Sequence, residues 1–377
     1  MTTFVFTDEQ LELRAAVRRF LDARSPSTEV RRLMETDDGY DAAVWSQMAE
    51  QLGLQGIAIP EDHGGSGCGP VEQLVVLEEM GRALLCAPYF SSVILAANAL
   101  LASGDVAACK DYLPGIADGS LIATVAGAEA NGDWLAPPTV AASASAAGYL
   151  LTGLKSYVLD GHTAELLLVT AMAPDGPSLF AVEPGAGGVQ RRRLETIDMT
   201  RKLATVTFTE APARLVGAAG AAAQIVDAVL GRAVVALAAE QVGGAQACLD
   251  MAVEYAKLRV QFGRQIGSFQ AIKHKCADML LDVESARSAA YYAAWTAQDR
   301  PAELAMVASL AKAYCSEAYV RTAAENIQVH GGIGFTWEHD AHLYYRRARS
   351  SEAMFSTPND HWDAVAGHLL DARAAAT

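Results

Sequence analysis

Three short stretches carry side chains whose types and spacing could do chemistry. In "KLRVQFGRQIGSFQAIKHKCADM", Lys257 to Met279, Arg259 can hold a pyrophosphate through its two-pronged guanidinium, and Phe262 offers a flat face to a purine. Both residues also have a plainer explanation, with Arg259 offsetting a helix dipole and Phe262 sitting in a core. In "ENIQVHGGIGFTWEHDAHLYYRRAR", Glu325 to Arg349, a helix stops at Gly331-Gly332, where backbone can approach a ligand without Cβ interference, and Gln328 supplies an amide nearby. A double glycine ending a helix is usually only a C-cap. The third stretch, "SSEAMFSTPND", Ser350 to Asp360, has the small polar residues of a loop that closes over a ligand. At its centre, where a reactive group is expected, stands Phe355.

The elements that must position these stretches fall into three zones. Residues 1–120 read as helical: "TDEQ" is a capping box with Thr7 as N-cap and Gln10 at N3, and Leu11, Leu13, Val17 and Phe20 form the expected apolar stripe behind it. A turn-rich loop, "PEDHGGSGCGP", leads into a second helix that starts at Pro70 and stops before Pro88. In residues 121–217 the helical period vanishes. Short β-branched segments such as "LIATVAG", "GYLLTGLKSYVLDG", "ELLLVTAM", "SLFAVEP" and "ATVTFTEA", separated by Gly, Pro and Asp turns, predict a small β-barrel. Residues 218–377 predict long helices over 219–258, 268–299, 302–330 and 337–349, with a last one after Asn359 that frays past Ala364. Ser268 is the expected N-cap of the second. The fold class is therefore multidomain α+β: an N-terminal helical domain, a central small β-barrel and a C-terminal antiparallel four-helix bundle. Ala-rich helix faces point to an oligomer.

Bulk properties narrow the function classes. The chain has 377 residues, 51% of them hydrophobic, enough for a large core. With 29 basic and 44 acidic side chains its formal net charge is -15, which argues against nucleic-acid binding. The "RRR" run at 191–193 reads as a solvated strand or turn. The six cysteines have no metal-ligand spacing, so no metal site is expected, and they suit a reduced, cytoplasmic protein. No secretion signal is evident at the N-terminus, and the apolar runs are interrupted too early for a membrane span, "AVLGRAVVALAAEQV" carrying Arg232 and Glu240.

Taken together, "RVQFGRQIGSFQ", "QVHGGIGF", "HGGSG", "EEMGRAL" and "TGLKSYVLDG" resemble the acyl-CoA dehydrogenases over nearly the whole chain, in the family's order along the sequence. The resemblance implies an FAD-dependent oxidoreductase that desaturates an acyl-CoA thioester at its α,β bond and passes electrons to an electron-transfer flavoprotein. It implies a homo- or hetero-oligomer, dimer or tetramer, with FAD between the β domain and the bundle. Arg259, Gln261, Phe262 and Gln270 would contact the adenine–pyrophosphate part. Gln328, Gly331 and Gly332 would contact the FAD of a partner subunit. Tyr157 and Leu159 would stand where the family sets an aromatic and a hydroxyl residue against the flavin ring, and Thr357 matches the Thr of the family's catalytic loop.

The departures matter as much. Leu159 has no side-chain hydrogen bond to offer the flavin. The family's flavin-covering "TEP…GSD" loop stands here as "VAGAEANGD", Val125 to Asp133, and only its distal part resembles the pattern. The family's catalytic Glu aligns with Phe355, and its alternative position, before an Arg on the first bundle helix, holds Gly231 next to Arg232. Three expectations follow. The chain partners a catalytic homologue in a heteromer, as in bacterial breakdown of sterol-like acyl chains; or the base is relocated to Glu352 or Asp360; or the fold serves only assembly.

Overall fold

The computed structural model describes residues 5–146 and 148–375; the expected tail thus lies partly outside the described residues, and the last helix is regular to Ala375. Six α-helices come first: α1 (Asp8–Arg24), α2 (Ser27–Glu35), α3 (Ala42–Leu52), α4 (Pro70–Arg82), α5 (Ala97–Ser103) and α6 (Val106–Ala117), with a π-helical turn at Phe90–Ala96 before α5. Seven strands follow: β1 (Ala123–Ala126), β2 (Ala141–Ser145), β3 (Gly148–Leu159), β4 (Leu166–Ala173), β5 (Gly176–Val182), β6 (Val189–Arg193) and β7 (Leu203–Val216). Then come α7 (Ala222–Leu258), a two-residue hairpin of β8 (Val260–Gln261) and β9 (Arg264–Gln265), α8 (Gln270–Asp299), α9 (Leu304–His330), α10 (Ala341–Ala353) and α11 (Pro358–Ala375). By contacts the chain groups into two compact units, one of Met1–Arg31, Pro70–Leu85 and Val234–Thr377, the other of Arg32–Gly69 and Cys86–Ala233.

In the second unit, strand pairing runs β4-β2-β3-β7-β5 and returns from β5 to β4, so the sheet closes on itself as a barrel, with β1 added beside β4 and β6 beside β7. Closure removes the unpaired edges that an open sheet would leave. Leu151, Leu167, Val169, Phe180, Val206 and Phe208 of its strands are all almost fully buried. The "RRR" run forms β6, a strand with two of its three arginines exposed.

In the first unit, α1 meets α4 by a route the apolar pattern does not show. The Thr7–Gln10 capping box forms as expected. The expected stripe does not: Leu11 is 47% exposed, and only Val17 and Leu21 are buried. Polar pairs make the contact instead. Gln10 donates to Glu72 at 2.7 Å, Arg14 pairs with Glu78 at 3.1 Å, and Arg18 with Glu79 at 2.7 Å. A long guanidinium reaches across a gap that a Leu cannot fill, so the facing positions are 10, 14 and 18. Crossing α4 and α7 touch backbone to backbone, because a Cβ on Gly81 would lie 1.9 Å from the Glu240 carbonyl and one on Gly243 1.8 Å from that of Glu78. Farther along, Ala245, Cys248, Leu249 and Ala252 of α7 pack with Met279 and Val283 of α8, Tyr319 and Ala323 of α9 and Ala348 of α10.

Two helix boundaries differ from expectation. Ser268 is not an N-cap but closes a 3₁₀ turn, its Oγ donating to the Gln265 carbonyl, and α8 starts after Phe269 with no side-chain cap. The helix expected from Trp337 begins at Ala341, leaving Trp337 54% exposed in the preceding loop. Contrary to the expectation of interrupted apolar runs, α7 is long and apolar enough by composition to cross a bilayer; it is a largely buried core helix, with Leu237, Ala238 and Cys248 inaccessible to solvent.

Candidate functional site

The end of α7 presents the first stretch. Phe262 (φ 53°) and Gly263 (φ 76°) both take left-handed backbone, the requirement of the tight two-residue turn that joins twisted strands. The turn lifts Phe262 clear of the protein, 92% exposed, with its edge toward Phe269 at 6.1 Å. A core role for Phe262 within this chain is thereby excluded. Arg259, Gln261 and Gln270 are exposed around it, and the Arg259 side chain makes no hydrogen bond to a described residue. Its neighbour Arg264 instead lies over the Phe269 ring at 4.1 Å. A free guanidinium beside a solvent-facing aromatic on a stiff hairpin fits the pyrophosphate and adenine of a dinucleotide.

The second stretch closes α9. His330 Nδ1 is 2.8 Å from the Asn326 carbonyl, and its ring stacks on Tyr255 at 4.2 Å, which fixes the last turn. Burial pushes His330 and His339 below the usual histidine range. Gly331 then turns at φ 65°, ψ −142°, a conformation reserved for glycine. A Cβ on Gly331 or Gly332 would meet nothing within 4 Å, and Gln328 is exposed beside them. Packing within the chain does not demand the second glycine.

The third stretch is pinned from beneath. Lys312 on α9, fully buried, donates to Ser316 Oγ at 2.9 Å and to the Glu352 carbonyl at the C-terminal end of α10 at 3.0 Å. Burial pushes its ammonium down to about 8. His361 Nε2 sits 2.8 Å from the Phe355 carbonyl, and burial keeps His361 below its ordinary range. Between these two pins Phe355 (φ 56°) and Ser356 (φ 78°) both hold left-handed backbone, a strained arrangement for residues with side chains. Phe355 itself is buried, 7% exposed.

Neither nearby carboxylate stands free. Glu352 pairs with Arg349 at 2.5 Å. Asp360 accepts from Thr357 N at 2.9 Å and Thr357 Oγ at 2.7 Å, and returns its own N–H to that hydroxyl, a capping box that starts α11. The Thr357 hydrogen bonds hold the Asp360 carboxyl below its ordinary range, opposite to what a general base needs. At the other position considered for a base, Gly231 carries no side chain, and Arg232 bonds Asn98 Oδ1 at 2.5 Å.

On the barrel, Tyr157 (φ 53°) lies at a bulge between Lys155 and Val158 and is 47% exposed, whereas Leu159 is buried and its carbonyl accepts from Thr124 Oγ at 2.7 Å. The feature that sequence reasoning missed is close by. Lys155, fully buried, forms an ion pair with Glu129 of the "VAGAEANGD" loop. Twenty-six residues separate the two, and nothing local marks either as a partner.

Comparison with known proteins gives the family. The model of the acyl-CoA dehydrogenase N-terminal domain matches residues 7–120 and that of the C-terminal domain residues 213–370, so the chain belongs to the acyl-CoA dehydrogenase family. It is an FAD-dependent oxidoreductase by family, and its cofactor is FAD. It is 33% identical over 361 residues to acyl-CoA dehydrogenase IpdE2 of Mycolicibacterium smegmatis, covering 94% of this chain and 96% of that one. Among solved structures, a variant of the Tcur3481-Tcur3483 steroid ACAD aligns at a TM-score of 0.87 with 32% identity, covering 98% and 99% of the two chains. The ChsE4-ChsE5 complex from Mycobacterium tuberculosis aligns at 0.89 with 30% identity and the same coverage.

Proposed function

We propose that this chain is the flavin-gripping subunit of a heteromeric acyl-CoA dehydrogenase, in which a homologous partner supplies the base that takes the α-proton of the thioester. The observation that carries this reading is Phe355, buried in the loop where the family's Glu is expected, with Glu352 and Asp360 each engaged elsewhere. An α-proton beside a thioester is weakly acidic and needs a positioned, free carboxylate, whereas Glu352 is paired with Arg349 and Asp360 caps α11. Bound FAD supplies the hydride acceptor for the β-carbon. Arg259, Gln261, Phe262 and Gln270 hold its adenine–pyrophosphate part, Tyr157, Leu159 and Thr357 line the flavin end, and Gln328, Gly331 and Gly332 reach the FAD of the partner subunit. Residues 1–120, 121–217 and 218–377 act as the family's three domains, the last as its four-helix bundle.

Substrate and setting follow the similar proteins. A steroid enzyme and a two-component complex stand among the similar structures, which favours a bulky sterol-derived acyl-CoA as substrate. An electron-transfer flavoprotein serves as acceptor, and the assembly is a cytoplasmic dimer or tetramer.

The test is purification of the chain alone and after co-expression with a homologue that carries the carboxylate, each followed by an absorbance spectrum and addition of acyl-CoA. Flavin bleaching is expected only for the pair, and it survives Glu352→Gln and Asp360→Asn in this chain. Bleaching by the isolated chain, abolished by Glu352→Gln, would refute the partner reading in favour of a relocated base.

A further inference from the structure

The loop from residue 127 to 139 joins β1 to β2 and matches the family's pattern only in its distal part, yet the structure holds it tightly. Lys155, rising from β3, spends all three ammonium hydrogens on it and its footing: on Glu129 Oε1, on the Gly127 carbonyl at 3.2 Å and on Thr170 Oγ of β4 at 2.8 Å. The other carboxylate oxygen of Glu129 accepts from Thr139 N at 3.2 Å and from the Thr139 hydroxyl. One buried pair therefore ties the start of the loop, its end and two barrel strands together. Inside that clamp, Glu129 N bonds the Asp133 carbonyl and Gly132 N the Glu129 carbonyl, both at 2.9 Å, closing a tight turn. A Cβ on Gly127 would lie 2.4 Å from the Trp134 ring, and one on Gly132 3.5 Å from the ring of Tyr157. The glycines let the loop lie flat against an indole on one side and the flavin-side tyrosine on the other.

We propose that Lys155 and Glu129 are positioning residues: their ion pair latches loop 127–139 into one arrangement and so makes it a preformed wall of the flavin site. The inference rests on the flavin-gripping role proposed above. A buried ion pair seldom adds net stability over apolar residues of the same shape, but it penalises every arrangement in which the partners separate. That is the property a wall needs. Among the described residues no other carboxylate pairs with Lys155, and burial already pushes its pKa down, so opening the loop strands a desolvated charge.

The test uses the full chain and the double variant Glu129→Leu/Lys155→Met, which removes both charges and leaves none stranded. Chymotrypsin cleavage at Trp134 and Leu135, mapped by mass, reads loop opening without any flavin, and titration with FAD reads the site. The double variant is expected to melt within a few degrees of wild type, to be cut about tenfold faster in the loop, and to bind FAD about tenfold more weakly. Cleavage at the wild-type rate overturns the latch. Should the double variant fail to fold, Glu129→Gln, which keeps shape and loses charge, decides by the same cleavage assay. Absence of FAD binding by wild-type protein in every combination would instead overturn the flavin-gripping role and leave the cleavage result to stand on its own.

Discussion

Lys312 makes the most quantitative test of how the Phe355 loop is held. Its ammonium lies buried under the end of α10, bonded to Ser316 Oγ and to the Glu352 carbonyl, and burial takes it from 10.5 to about 8. The charged form is thus disfavoured by folding, and the sign follows. Between the two values the unfolded chain binds a proton that the folded chain does not, so stability rises with pH across that window. With 8 folded and 10.5 unfolded, the rise attributable to this group between pH 7 and pH 10 is about 2.5 kcal/mol. Many other groups titrate there, so the quantity to measure is the difference between wild type and Lys312→Met in urea unfolding at each pH, in which shared titrations cancel. Two neighbouring groups that could titrate nearby do not intrude: burial pushes Cys315 up to about 12, and His361 is held below its ordinary range. The wild type should gain on the variant steadily from pH 7 to pH 10. A difference that stays flat, or that shrinks with rising pH, refutes the picture of a buried ammonium outside any ion pair pinning the loop.

Two further outcomes follow from other contacts. Gly243→Ala sets a Cβ 1.8 Å from the Glu78 carbonyl, so α4 and α7 must part; a loss of about 3 kcal/mol or more is expected in chemical denaturation. Asp360→Ala opens the capping box at the start of α11 and should cost about 1 kcal/mol by melting, with turnover in the co-expressed pair unchanged. Because Thr357 holds Asp360 below its ordinary 3.8, its contribution is complete above that value and fades as the pH falls further.

What the sequence made legible is what local chemistry decides. The Thr7–Gln10 box, the end of α9 at Gly331 and the helix-starting role of Asp360 each depend on residues within one turn of each other. The shift from helical to strand texture was equally readable, although β2, "AASAS", escaped because alanine and serine carry little β signal. Phe262 marks the limit. Taken alone, the stretch favoured a core phenylalanine, and two left-handed backbone angles at residues 262 and 263 expose the ring instead.

Contacts far apart in sequence stayed hidden for a different reason. Apolar periodicity can find only apolar faces, so the face of α1 that meets α4 through Gln10, Arg14 and Arg18 read as solvent. Lys155 and Lys312 are the sharper cases, because composition rules place lysines outside, and here two are fully buried, each against a loop that departs from the family pattern. One bonds a carboxylate directly; the other bonds only dipoles, a hydroxyl and the carbonyl end of a helix. That difference predicts different behaviour from the same residue type. Lys155 should keep its loop closed across ordinary pH, since losing its proton would also strand Glu129. Lys312, with no ion pair to break, is the lysine whose charge the solvent can switch, and the loop it holds is the one in which Phe355 takes the place of an acid.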